Sequence, residues 1–202
     1  MKQFSNYDKA KENAKFSAME KLPAGAYVCK ILAVKYETAE QEGYSDRIRL
    51  QFDIEEGEFK GFFKKQYDAN TNEDKKFKGQ HAIWVPKEDG SEHDQWTANT
   101  FAKWTTAFED SNPGYIWDWQ EDKWKGKIVG IVFGQTGNVI EGKEITYTEP
   151  RFACDAKLVR EGKAPTAKFL KKNGYGDGPN TAATSDDFVN VADSEESEIP
   201  FD

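Results

Sequence analysis

The sequence predicts a mainly β protein: an OB-fold-like, partly open barrel of five to six strands, with one helix between the third and fourth strands and a disordered acidic C-terminal tail. Three observations carry that reading. Apolar residues recur with period two in short segments bounded by Gly, Pro, Asn and Asp. One segment, Gln95 to Glu109, carries a helical apolar stripe instead. The last thirty residues, 173 to 202, hold eight acids and no Lys or Arg, and cannot bury enough apolar surface to offset their ordering entropy.

The elements follow in order. Residues 1–22 read as a loosely attached arm punctuated by Phe4, Tyr7, Phe16 and Met19. Pro23-Ala24-Gly25 opens the first strand, Ala26 to Tyr36, apolar on both faces as in a strand covered from two sides. The second strand, Asp46 to Glu55, alternates: Ile48, Leu50, Phe52 and Ile54 point to a core, and Arg47, Arg49, Gln51 and Asp53 to water. After Gly57 and Gly61 the expected third strand is Phe62 to Tyr67, with a further short strand at His81 to Val85. The helix sets Trp96, Phe101, Trp104, Ala107 and Phe108 on one core-facing stripe and stops at Asn112-Pro113-Gly114. Ile128 to Phe133 forms an apolar strand, and Ile145 to Tyr147 and Arg151 to Val159 add one or two more. That order fits an oligonucleotide-binding barrel of residues 23–160. A basic neck, 161–172, and the tail, 173–202, complete the division.

Charge is partitioned. Eight of the 36 acidic residues lie in the tail, so the other 28 balance the 28 Lys and Arg, and the net charge of −8 belongs to the tail. A neutral body can carry a basic stripe. From Phe59 to Lys78 six lysines (Lys60, Lys64, Lys65, Lys75, Lys76 and Lys78) interleave with rings that include Tyr67 and Phe77. Single-stranded nucleic acid calls for this mixture, cations for phosphates and flat faces for unpaired bases, and Arg47 and Arg49 add to it. Alternatively, the rings are core and the lysines a solvated rim. Arg151 to Lys172 is basic as well, with seven cations against Asp155 and Glu161. Tyr115, Trp117, Trp119 and Trp124 occupy a connection with Asp118, Glu121 and Asp122, where at least two rings are expected to pack.

The tail ends in Glu198-Ile199-Pro200-Phe201-Asp202, preceded by Asp193, Glu195 and Glu196. It resembles the tails of bacterial and phage single-stranded DNA-binding proteins, which end in Asp-Asp-Ile-Pro-Phe or close to it. The body is similar to short phage proteins that run from a Pro-Ala-Gly-x-Tyr strand start (Pro23 to Tyr27) to a single helix. The resemblance implies that the chain coats single-stranded DNA and recruits replication and recombination proteins. Residues 195, 196 and 198 to 202 would serve as the docking tip, its Phe in an apolar pocket and its acids on a basic rim. Asp202 departs from the pattern, since Phe is ordinarily last.

No catalytic residue, metal or cofactor is expected. Cys29, Cys154, His81 and His93 lack metal-ligand spacing, and no phosphate-cradling loop or nucleophile motif is present. Glu58-Phe59-Lys60 and Glu141-Gly142-Lys143 match the Glu-x-Lys of some metal-dependent nucleases, with Asp46 or Asp53 as the partner such a site would need. A recombination accessory factor or an acidic DNA mimic that binds proteins only is the other alternative. No apolar run is long enough to span a membrane, and a cytoplasmic protein, in the host cell if phage-encoded, is expected. The oligomeric state stays open, a homo-oligomer included.

Overall fold

The computed structural model describes Tyr7, residues 21–41 and residues 43–176. The arm, apart from Tyr7 and residues 21–22, and the tail from residue 177 onward, with the whole partner-docking tip, lie outside the described residues. The elements are β1 (Gly25–Glu37), β2 (Arg47–Ile54), α1 (Phe62–Ala69), β3 (Gln80–Trp84), α2 (Glu92–Ser111), a 3₁₀ turn (Glu121–Trp124), β4 (Ile128–Ile140), β5 (Lys143–Cys154), α3 (Ala156–Arg160) and β6 (Leu170–Lys171).

The strands form one open, mixed sheet in the order β3-β2-β1-β4-β5, and the short β6 pairs with β4. All pairings are antiparallel except β4 with β6. The long helix lies in sequence between β3 and β4, as expected, and packs against β3, β4 and β5. It therefore bridges the two edge strands of the sheet. Its buried side chains (Thr97, Phe101, Trp104, Thr105, Ala107 and Phe108) repeat at three- and four-residue spacing. Of these, Phe101, Trp104, Ala107 and Phe108 pack into one core with Ile31, Ile48, Leu50, Phe52, Ile83, Val129, Ile131 and Phe133 from the sheet. Ser91 caps the helix by accepting a hydrogen bond from the Asp94 N–H.

Four expectations need correction. Phe62 to Tyr67 is the helix α1, and the third strand is β3. The spacing of Phe59, Phe62, Phe63 and Tyr67 suits a helical turn as well as a strand, and a non-local contact decides between them. Gly61 takes φ 70°, and Asp53 of β2 then accepts hydrogen bonds from the N–H groups of Phe63 and Lys64, each at 3.0 Å. A carboxylate from a neighbouring strand thus supplies the missing cap.

Most of the second face of β2 is not wet. Arg49, Gln51 and Asp53 are buried, and Arg47 alone stays partly exposed. Ile145 to Tyr147 and Arg151 to Val159, expected to add one or two strands, supply one, β5, and the end of the second segment is the helix α3. β5 runs through Pro150, which the sheet tolerates because β5 is an edge strand and the ladder slips there, with Arg151 as the extra residue. Finally, Trp96 is exposed: it falls at the margin of the α2 stripe, Thr97 takes the inward place, and its ring stacks on His93 instead.

Candidate nucleic-acid interface

The face of β1, β2 and β3 turned away from α2 is built by strand register. Lys35 lies opposite Arg49, and Glu37 opposite Arg47, across the β1–β2 ladder. Across the β2–β3 ladder, Arg47 lies opposite Trp84, Arg49 opposite Ala82 and Gln51 opposite Gln80. Glu37 gathers three cations: Arg47 at 2.6 Å, Arg49 at 3.3 Å and Lys35 at 3.4 Å. Positive charge therefore predominates in this cluster. Beside it the Arg47 guanidinium sits over the Trp84 ring, 5.8 Å from the centroid. A partly exposed indole flanked by arginine offers a flat face and a phosphate anchor within one side chain's reach.

The β1–β2 connection closes one end of this face. Tyr44 is exposed there. Asp46 accepts hydrogen bonds from the Tyr36 hydroxyl at 2.6 Å and the Ala39 N–H at 2.8 Å. The bond to Asp46 pushes the Tyr36 phenol up to about 12 and holds the Asp46 carboxyl below its ordinary range. Lys87, just after β3, donates from Nζ to the Gly43 carbonyl and ties the connection down.

The second expected group lies beyond the other end of β3. Lys78 precedes Trp84 by six residues, roughly 20 Å along a strand. Lys75 sits 4.5 Å from the centroid of Tyr67, and Lys65, Lys76 and Lys78 are exposed. Lys60 and Lys64 are exposed too, and pair with Glu55 and Asp68. Phe77 is buried against Phe63 and Tyr67, so it serves the core rather than presenting a stacking face. Tyr67 packs partly against that core under its lysine. Arg49 is likewise buried and acts through Glu37.

Trp84 does not stand out in the sequence: alternation along β3 groups it with Ala82 and Gln80, and only the ladder register brings it beside Arg47. In the tryptophan-rich connection Trp124 is buried and stacked on Phe108 at 4.5 Å, Trp117 packs partly, and Trp119 stands out in solvent.

The basic neck folds onto the sheet. Leu170 and Lys171 pair with Thr136 and Gly137, and the Tyr175 ring lies on Gly137, where a Cβ would come within 2.5 Å of it. The Gly176 N–H donates to Glu144 at 2.8 Å. The chain thus enters its acidic tail beside the β4–β5 hairpin.

Among the described residues, no three His, Cys, Asp or Glu side chains gather to hold a metal. Asp46 and Asp53, the aspartates open to a nuclease reading, spend their oxygens on the structural bonds described above. Burial pushes the Cys154 thiol up to about 11 and the Cys29 thiol well above its usual range, and both cysteines are free. No helix among the described residues is long and apolar enough to cross a membrane. No protein-family model matches the chain, and no curated protein matches it.

Proposed function

We propose that the protein binds single-stranded DNA, without enzymatic chemistry of its own, along the outer face of β2 and β3. The observation that carries this is the Arg47–Trp84 pair, with Arg49 and Lys35 gathered on Glu37 behind it. One base stacks on the indole while arginine and lysine take the flanking phosphates. The strand then continues toward Lys75, Lys76 and Lys78. The order of the sheet, with its long helix between β3 and β4, agrees with an oligonucleotide-binding fold, in which the face of strands 2 and 3 and the adjoining loops hold the nucleic acid.

Binding of this kind is largely blind to sequence and driven by counterion release. Affinity for an oligo-dT is expected to fall at least tenfold between about 50 and 200 mM salt. A flat salt response contradicts the assignment of the groove.

The tail performs a separate task. Its tip, Glu195 to Asp202, is the hook for replication and recombination proteins, as its resemblance implies, and its acids make it a competitor for the basic face. Deleting residues 195 to 202 leaves DNA affinity equal or higher and removes partner recruitment; weaker DNA binding overturns that role.

A further inference from the structure

Two exposed apolar pairs remain that the DNA face does not use. The first is Ile116 and Trp119, 76% and 77% exposed, in the connection after α2. Trp119 is held rather than loose. Its backbone takes φ 64°, a left-handed conformation rare for a bulky side chain, and its ring stacks on Phe101 at 6.4 Å and 12°. The Trp117 ring, 5.9 Å away, joins it to the buried Trp124. Acids outnumber bases around this pair: Asp118, Glu121 and Asp122 lie within six residues, against Lys125 and a Lys123 committed to Asp118. The second pair is Phe169 and Leu170, 46% and 41% exposed, in the neck. Its neighbours are Lys168 and Lys171, neither ion-paired among the described residues.

The two surfaces match in kind, apolar against apolar and acidic against basic. They also sit on different parts of the fold. The connection that carries the acidic pair runs through the 3₁₀ turn and enters β4 only at Ile128, with Trp119 held on Phe101 of α2, whereas the neck pairs with β4 at Thr136, eight residues further along the strand. One copy therefore presents each surface in a different place, and the contact that satisfies both is between copies. The acids around Trp119 disfavour a phosphate backbone as its occupant, and like charge disfavours the tail.

We propose that the protein self-associates head to tail, the Ile116–Trp119 surface of one copy docking on the Phe169–Leu170 neck of the next. Such a heterologous contact does not close on itself in a pair, so it extends along a row. This contact stands independently of the DNA-binding reading, since it needs neither DNA nor the β2–β3 face.

Sedimentation equilibrium of the full chain at low salt tests it. The expected result is a weight-average mass that climbs with concentration past the dimer and returns to the monomer in high salt. A variant with D118K, E121K and D122K keeps only its neck surface, and one with K168E and K171E keeps only its acidic surface. Each alone is expected to stay monomeric, whereas their mixture gives a one-to-one dimer and nothing larger. Should either set fold poorly by circular dichroism, Ile116→Lys and Leu170→Glu provide the same pairing with one change each. A wild-type mass fixed at the monomer, association of either variant alone, or a mixture that stays monomeric would overturn the proposal.

Discussion

Arg47 on β2 and Trp84 on β3 face each other directly across the antiparallel ladder, the guanidinium carbon 5.8 Å from the centre of the indole. Each side chain alone is ordinary on a sheet surface. Together, beside Glu37 and its other two cations, they make the one place among the described residues where a flat ring and clustered arginines share a face.

Trp84→Ala removes the ring and leaves the ladder. Stacking of a base on an aromatic side chain is worth about 1–3 kcal/mol. Affinity for oligo-dT, measured by anisotropy, is therefore expected to drop between about fivefold and 150-fold while the urea midpoint moves little. Unchanged affinity would remove Trp84 from the interface.

Arg47→Gln tests the phosphate contact separately from the ring. Losing one such contact weakens binding at every sequence and lowers the slope of log affinity against log salt by about 1. A weaker complex with an unaltered slope would mean that Arg47 acts only by positioning Trp84.

Asp53→Ala leaves two N–H groups at the start of α1 without their acceptor. Loss of a helix cap costs about 1–2 kcal/mol, and these donors are poorly placed to find water. Urea denaturation is expected to show a loss of about 2 kcal/mol, with less lost in Asp53→Asn. A neutral result would show that the carboxylate does not hold α1 in place.

Acid should destabilise the fold through His81, stacked on Trp104 at 5.0 Å. Burial pushes this imidazole down from an ordinary 6.5 to about 4, with the Glu149 carboxylate only partly opposing. As pH falls below 6.5 the unfolded chain takes up a proton that the folded chain refuses until about 4, so stability is lost across that window and is fully present above it. Between pH 7 and 5 the loss is about 2 kcal/mol. His81→Gln should flatten the stability profile over this range; a profile as steep as wild type would assign the acid sensitivity elsewhere.

The order of elements was largely legible because it rests on local periodicity. β2 and α2 are long enough for period two or 3.6 to show, β1 shows as an apolar run opened by Pro23-Ala24-Gly25, and Asn112-Pro113-Gly114 marks where α2 stops. What escaped depends on contacts between distant residues. The identity of α1 rests on Asp53, ten residues before Phe63 on the strand β2, and the passage of β5 through Pro150 rests on its being an edge. The burial of Arg49 rests on Glu37, twelve residues away on the neighbouring strand, since alternation separates two faces without saying what covers them. At the site, Arg47 was legible from the polar face of β2. Trp84 was obscured by the brevity of β3, and Phe77 was mistaken for a surface ring because a lysine-rich segment surrounds a core residue.

Titration of intrinsic tryptophan fluorescence with oligo-dT, run beside Trp84→Phe, tests the DNA-binding reading most directly. Stacking on Trp84 predicts saturable quenching in the wild type that weakens with salt, and most of that quenching should be absent in the variant. No quenching at low salt, with no change in anisotropy of a labelled oligo-dT, would contradict it and leave a protein that binds other proteins only.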